Sequence, residues 1–180
     1  RTRFAIDRLL ALGVSSDAKD RWGTSPIEAL AKRGPRAAPL VRYLGTKGVT
    51  IAPETLAQIG DRASLAKLAP ETLTRAPVIE AAVRARHAHV ATWLLDRGAS
   101  PDARATWGSK GTLLHTAAWN GDLAMVELLL GRGADPSAID EEHRTAPAEW
   151  AEVSLGVTNN PECAAVAQRL GITDYDQVWQ

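Results

Sequence analysis

The sequence predicts an all-α fold, a solenoid of stacked helical hairpins, and three observations lead there. Within the stretch Gly111 to Asp140, an offset of 35 residues lays Leu113 to Ile139 over Val78 to Arg104 without a gap. Ile79 falls on Leu114, Ala82 on Ala117, Leu94 and Leu95 on Leu129 and Leu130, and Arg97-Gly98-Ala99 on Arg132-Gly133-Ala134. Within the later copy Val126, Leu129 and Leu130 recur at helical spacing and make one buried stripe. Gly121-Asp122 punctuates that copy where one helix should end and the next begin, because glycine takes the left-handed turn without a Cβ penalty and aspartate favours a helix start. A period of this length means supersecondary units that bury their apolar faces against one another.

The elements follow in chain order. Ile6, Leu9, Leu10 and Gly13 occupy the places of Val126, Leu129, Leu130 and Gly133, so the chain opens inside a second helix. An upstream segment is therefore expected, with a signal peptide, a further helix and a whole domain left open. Gly13 to Leu30 supplies a finger and a first helix, with Ser25-Pro26-Ile27-Glu28 as its helix start. Gly34-Pro35 then adds two residues between the helices of this unit. The next unit is truncated: Gly60-Asp61-Arg62-Ala63 and Leu68 parallel Gly121-Asp122-Leu123-Ala124 and Leu129, but the preceding helix, Pro53 to Ile59, is barely two turns. APETL occurs at Ala52 and again at Ala69. A shortened unit is expected to bend the stack locally, giving an irregular arch. Arg86 stands where Gly121 stands in the next copy, so that turn is either strained by about 1 kcal/mol or built differently.

The last unit is expected to cap the stack, with Leu155 to Asn160 as a lengthened loop, Asn160-Pro161 starting a helix, Val166 and Leu170 repeating the second-helix spacing, and Tyr175 and Trp179 covering the end. The expected organisation is one domain over 1–180: a half repeat at 1–20, repeats at about 21–51, 52–75 (truncated), 76–108 and 109–142, and a capping repeat at 143–180.

Gly111, Thr112, Leu114, His115, Ala117, Ala118, Gly121, Val126, Leu129, Leu130, Gly133, Ala134 and Asp135 together resemble the ankyrin repeat pattern, with Leu113 where proline is usual. Ala146-Pro147-Ala148-Glu149-Trp150-Ala151 looks like a weaker copy. The histidine slot holds Glu28, Glu80, His115 and Glu149 in turn, at separations of 52, 35 and 34. The resemblance implies that His115 is structural, tying its helix start to the adjacent turn, and that the glutamates accept similar backbone bonds. It also implies a non-catalytic protein–protein interaction module that grips a protein partner on its concave finger and inner-helix surface.

Bulk chemistry narrows the alternatives. Lys plus Arg and Asp plus Glu both number 21, so the molecule lacks the positive field that drives binding to nucleic acid or anionic membranes. The most apolar stretch, Ala124 to Leu130, is far short of the roughly 18 residues of a membrane helix. Cys163 is alone, which precludes an internal disulfide and a cysteine metal cluster. A cytoplasmic monomer without cofactor is expected, with an exported or periplasmic protein left open. The Ala- and Arg-rich composition is of the kind common in bacteria with high-GC genomes.

The partner-binding candidates are Arg21, Trp22, Lys32, Arg33, Arg84, Trp107, Lys110, Trp119 and Trp150. Four of the chain's 6 tryptophans fall on this surface, and Trp and Arg dominate binding hot spots. The basic residues among them point to an acidic or aromatic-containing protein segment; packing of the same tryptophans on their own scaffold is the competing reading. His87 and His89, two apart, point to different faces of a helix and are expected in solvent. No GxSxG, HExxH, P-loop or GxGxxG occurs. Two other readings stay open: an enzyme using Glu54 or Glu71 near His87, and a regulatory, immunity-type or effector-type inhibitor or an appended domain of a larger enzyme.

Overall fold

The computed structural model describes residues 2–13, 15, 18–21, 23–106 and 108–172. Trp22, Trp107, Tyr175 and Trp179, and the side chains of Ile6 and Leu9, lie outside that set. The described residues form helices and no strand; an isolated antiparallel bridge joins Arg104 to Thr112.

Helix α1 (Thr2–Ala11) leads to α2 (Pro26–Ala31) and α3 (Ala38–Thr46). Ser25 starts α2 through a reciprocal cap: its Oγ accepts from the Glu28 N–H at 3.2 Å while a Glu28 carboxylate oxygen accepts from the Ser25 N–H at 2.7 Å. The extra residues around Gly34-Pro35 become a 3-10 turn, Gly34–Ala37, that leads straight into α3.

The truncated unit is three short helices, α4 (Pro53–Gln58), α5 (Arg62–Leu65) and α6 (Pro70–Leu73). Both copies of APETL adopt one local structure: Ala52 and Ala69 are extended caps with ψ of 141° and 142°, each followed by proline, whose fixed φ suits the first helical position. Gly60 turns in the left-handed region at φ +74°, and Asp61 caps α5 by accepting from the Ser64 N–H at 3.2 Å. The parallel with Gly121 and Asp122 holds, since Gly121 sits at φ +67° and Asp122 accepts from the Met125 N–H at 3.1 Å.

Three longer pairs follow: α7 (Ala76–Arg84) with α8 (Ala88–Leu95), α9 (Leu113–Trp119) with α10 (Leu123–Leu130), and α11 (Pro147–Thr158) with α12 (Glu162–Arg169). First helices pack in sequence, α2 on α4, α4 on α7, α7 on α9 and α9 on α11, while α8, α10 and α12 form a second row behind them. The interior is continuous along the stack: Val41, Ile59, Leu65, Ile79, Leu94, Leu114, Leu129 and Val166 are all buried. Ala81, Ala82, Ala117 and Ala118 are buried between adjacent units, where small side chains let backbones approach. No helix among the described residues is long and apolar enough to cross a membrane.

The structure corrects two expectations. Residues Leu155 to Thr158 are the last turn of α11 instead of a loop. Thr158 Oγ1 donates to the Ser154 carbonyl at 2.7 Å, Ser154 Oγ donates across to the Trp119 carbonyl at 2.7 Å, and Asn159 closes the helix at φ +54°. His87 is half-buried, because its Nε2 bonds the Gln58 carbonyl at 2.9 Å and its ring covers the Gly60 turn. His89 is exposed as expected, with Nε2 3.3 Å from the Gly60 carbonyl. The Arg86 turn keeps the left-handed geometry at φ +59°, so the first of its two alternatives holds.

Candidate partner-binding surface

Two fingers and two first helices build the best-formed site. In the finger before α9, the Ala105 N–H donates to the Gly111 carbonyl at 2.9 Å and the Leu113 N–H to the Ala103 carbonyl at 3.0 Å, closing a short hairpin. The Arg104 guanidinium donates to the carbonyls of Lys110 and Ile139, both at 3.0 Å, and the Glu141 N–H reaches the Ser109 carbonyl at 3.0 Å. Those bonds lash one fingertip to the next.

The following finger is organised by Asp140, which is wholly buried. Its carboxylate accepts from the N–H groups of Glu142 (3.0 Å), His143 (2.7 Å) and Thr145 (3.1 Å), from Thr145 Oγ1 (2.5 Å) and from Trp150 Nε1 (3.3 Å). Burial by itself would push this carboxyl up, but the donors outweigh it and hold the group well below the usual carboxylate range.

His115 links that finger to α9. Its Nδ1 accepts from the Thr112 N–H at 2.9 Å, so the proton lies on Nε2, which donates to the Thr145 carbonyl at 3.0 Å. Burial pushes the imidazole below its ordinary value, against the pull of that carbonyl. With both nitrogens engaged and the ring buried, His115 is a brace. Glu28 and Glu149 make the same start-of-helix bond in their units, Glu149 accepting from the Ala146 N–H at 2.6 Å. Glu80 is buried and lies 3.6 Å from Arg84.

Over this frame lies an open groove of about 600 Å³, lined by Ala105, Ser109, Thr116, Trp119, Glu149, Trp150 and Val153 among others. Trp150 packs edge-on against His115 at 5.0 Å between centroids and against Trp119 at 6.1 Å, with the tryptophan planes 78° apart. Trp150 is half-buried and tied by its indole N–H to Thr145 Oγ1 at 3.1 Å. Trp119 is exposed, as are Val153 and Val157 farther along α11. Sequence reasoning overlooked Val153 and Val157, although Trp150, Val153 and Val157 stand at i, i+3 and i+7 on a helix whose adjoining face, Ala148, Ala151 and Ser154, is already buried.

The remaining expected residues fall elsewhere. Lys32 and Arg84 share a separate depression of about 620 Å³ with Glu28, Glu54 and Gln58, so carboxylates already stand among the cations there. Arg33 and Arg21 are exposed. Lys110 sits beside the groove at φ +52° and pairs with Glu141 at 3.1 Å. Trp22 and Trp107, expected on the fingers, lie outside the described residues.

Residues 79–130 match the family model for ankyrin repeats occurring in many copies. This stretch consists of ankyrin repeats. It takes in α7 through α10 and the finger between them, with Trp119 inside it. A protein of Chlamydomonas reinhardtii, "Zygote-specific protein 3", is similar, at 42% identity over 84 residues. The match takes in 47% of this chain and 22% of that protein, so it spans about a fifth of the relative's length. Ankyrin repeats are in general protein–protein interaction modules, and no catalytic family is indicated.

Proposed function

We propose that the chain is a non-catalytic recognition module that holds a segment of a protein partner along its fingers and first helices, anchored in the groove between α9 and α11. The observation that carries this reading is an apolar face left uncovered on two packed first helices: exposed Trp119 and Val153 line the groove with half-buried Trp150, and exposed Val157 continues the same face of α11. Exposed apolar clusters that border a shaped cavity mark interaction sites, and tryptophan is the residue whose loss costs most in them. Trp107 and Lys110 extend the contact along one finger, and Trp22, Arg21, Lys32, Arg33 and Arg84 along the earlier units. The unit divisions near residues 21, 52, 76, 109 and 143, a monomeric state and a reducing compartment belong to the same reading.

A peptide-display selection on the whole chain tests it. Peptides enriched on the native protein should lose binding at least tenfold on Trp119→Ala/Val153→Ser, whose melting temperature should stay within about 3 °C because both side chains are exposed. Equal binding to that variant would remove the groove from the function.

A further inference from the structure

Resting on that reading, we infer that the groove selects a partner segment by one cationic side chain, an arginine, seated on the Trp119–Trp150 corner against Glu149. The charge pattern is the first ground. Among the described lining residues the carboxylate is Glu149 and there is no lysine or arginine. Beneath Trp150 lies the ionised Asp140, whose carboxylate accepts from the indole N–H at 3.3 Å. Of the basic residues around it, Lys110 pairs with Glu141, Arg104 donates to the Lys110 and Ile139 carbonyls, and His143 on the wall lies 3.5 Å from Asp140, while Arg144 between His143 and Thr145 is exposed. A groove with apolar walls, two indoles and one exposed carboxylate is complementary to a cation that tolerates loss of water.

Arginine meets those terms better than lysine. Its planar guanidinium is weakly hydrated, lies flat on an indole face and offers paired donors to a carboxylate. The two tryptophan planes, 78° apart, form a corner with one indole face and one edge. The chain uses this chemistry elsewhere: the Arg97 guanidinium carbon sits 3.9 Å from the ring centroid of Trp93 on α8. A Glu149 oxygen is occupied by the Ala146 N–H, and the carboxylate remains exposed at the cavity wall to meet a guanidinium. The partner chemistry is therefore opposite in sign to the acidic segment that the basic residues alone would favour.

The test uses the full chain with 15N-labelled indoles, the Trp119 and Trp150 signals assigned through Trp119→Phe and Trp150→Phe. The protein is titrated separately with the N-acetyl methylamides of arginine, lysine, citrulline and leucine. Arginine should shift both indole signals with saturation, lysine several-fold more weakly, and citrulline, the neutral isostere, about tenfold more weakly. Glu149→Gln keeps an acceptor for the Ala146 N–H and the helical circular dichroism, and should reduce the arginine affinity about tenfold without altering the leucine response. Citrulline binding as well as arginine overturns the inference. Saturation by leucine but not arginine overturns it too, while leaving the groove intact as a docking site. Silence toward all four overturns both this inference and the groove reading beneath it.

Discussion

The stretch from α7 to α12 and the stretch from α2 to α6 obey one pattern with different filling. In the later stretch the α9–α10 turn has a neighbour packed over it: a Cβ on Gly121 would meet Asn160 Nδ2 at 2.8 Å, Glu162 Cβ at 2.9 Å and the Cys163 backbone nitrogen at 3.0 Å. In the earlier stretch the corresponding Gly60 has only the His87 ring, at 3.4 Å. The fingers differ likewise. Asp20 and Asp140 both exchange backbone bonds with a threonine, Thr24 and Thr145, yet Asp20 is exposed while Asp140 is roofed by Trp150. The same local geometry is thus a surface turn in one half and a buried joint in the other. What decides is the side chain that the following first helix lays over the turn, Trp150 at the fourth position of α11 against Ala29 at the fourth position of α2.

The largest effect should come from the turns. Gly121→Ala forces a side chain into the left-handed region and into the α11–α12 connection, which should cost about 2–4 kcal/mol as the sum of backbone and overpacking terms. Gly60→Ala meets the backbone penalty with ordinary contact to a ring, and should cost about 1 kcal/mol. Urea unfolding of the two variants reads the difference. Equal losses would mean that the α11–α12 connection gives way freely.

Next come the fingers and their response to acid. Asp140→Asn removes charge-assisted bonds from a buried network and should cost about 2–3 kcal/mol, against less than about 1 kcal/mol for Asp20→Asn in its exposed turn. Because the folded-state value of Asp140 is lowered, its contribution is complete above the ordinary aspartate range near 4 and is lost as pH falls through the lowered value. The buried histidines act in a separate window. His87 and His115 are both lowered, by burial first, so the unfolded chain binds more protons once pH drops below about 6.5 and stability declines from there. Denaturation midpoints measured from pH 7.5 to pH 3 should show two steps, and Asp140→Asn should erase part of the lower step alone.

Much of this arrangement was legible in the residues, and what was hidden has physical causes. The register of Ile79 on Leu114 and Leu94 on Leu129 could be read because buried stripes repeat with the helix period. The brace at His115 could be read because cap chemistry is local, spanning Thr112 to His115. The last turn of α11 could not: Gly156 and Asn159-Asn160-Pro161 have loop composition, and the bond that holds the helix open to Thr158 runs from Ser154 to the Trp119 carbonyl of another unit. The groove was half visible for a similar reason. Trp119 and Trp150 were each singled out, but their meeting over His115, and the separation of the basic residues from them, depend on how two units are rotated against each other.

The smallest effect is the most discriminating, because two terms oppose each other at one residue. Arg86 holds the glycine slot at φ +59°, a conformation that costs an L-residue roughly 1–2 kcal/mol. Its guanidinium reaches forward from the α7–α8 turn to Glu162 at 2.9 Å and Asp122 at 3.4 Å, joining three successive units. The exposed Glu162 pair returns about 0–1 kcal/mol and is weakened by salt, whereas the pair to buried Asp122 is screened less. Arg86→Gly should therefore change stability by less than about 1 kcal/mol at low ionic strength, since relief of the backbone offsets the lost pairs. In 1 M salt, where the screening length falls to about 3 Å, the exposed Glu162 pair fades while the backbone term stays, and the balance should shift toward the glycine variant. If salt leaves the balance unchanged, the side chain is held by packing on α12, and the long residue replaces glycine by contact instead of by charge.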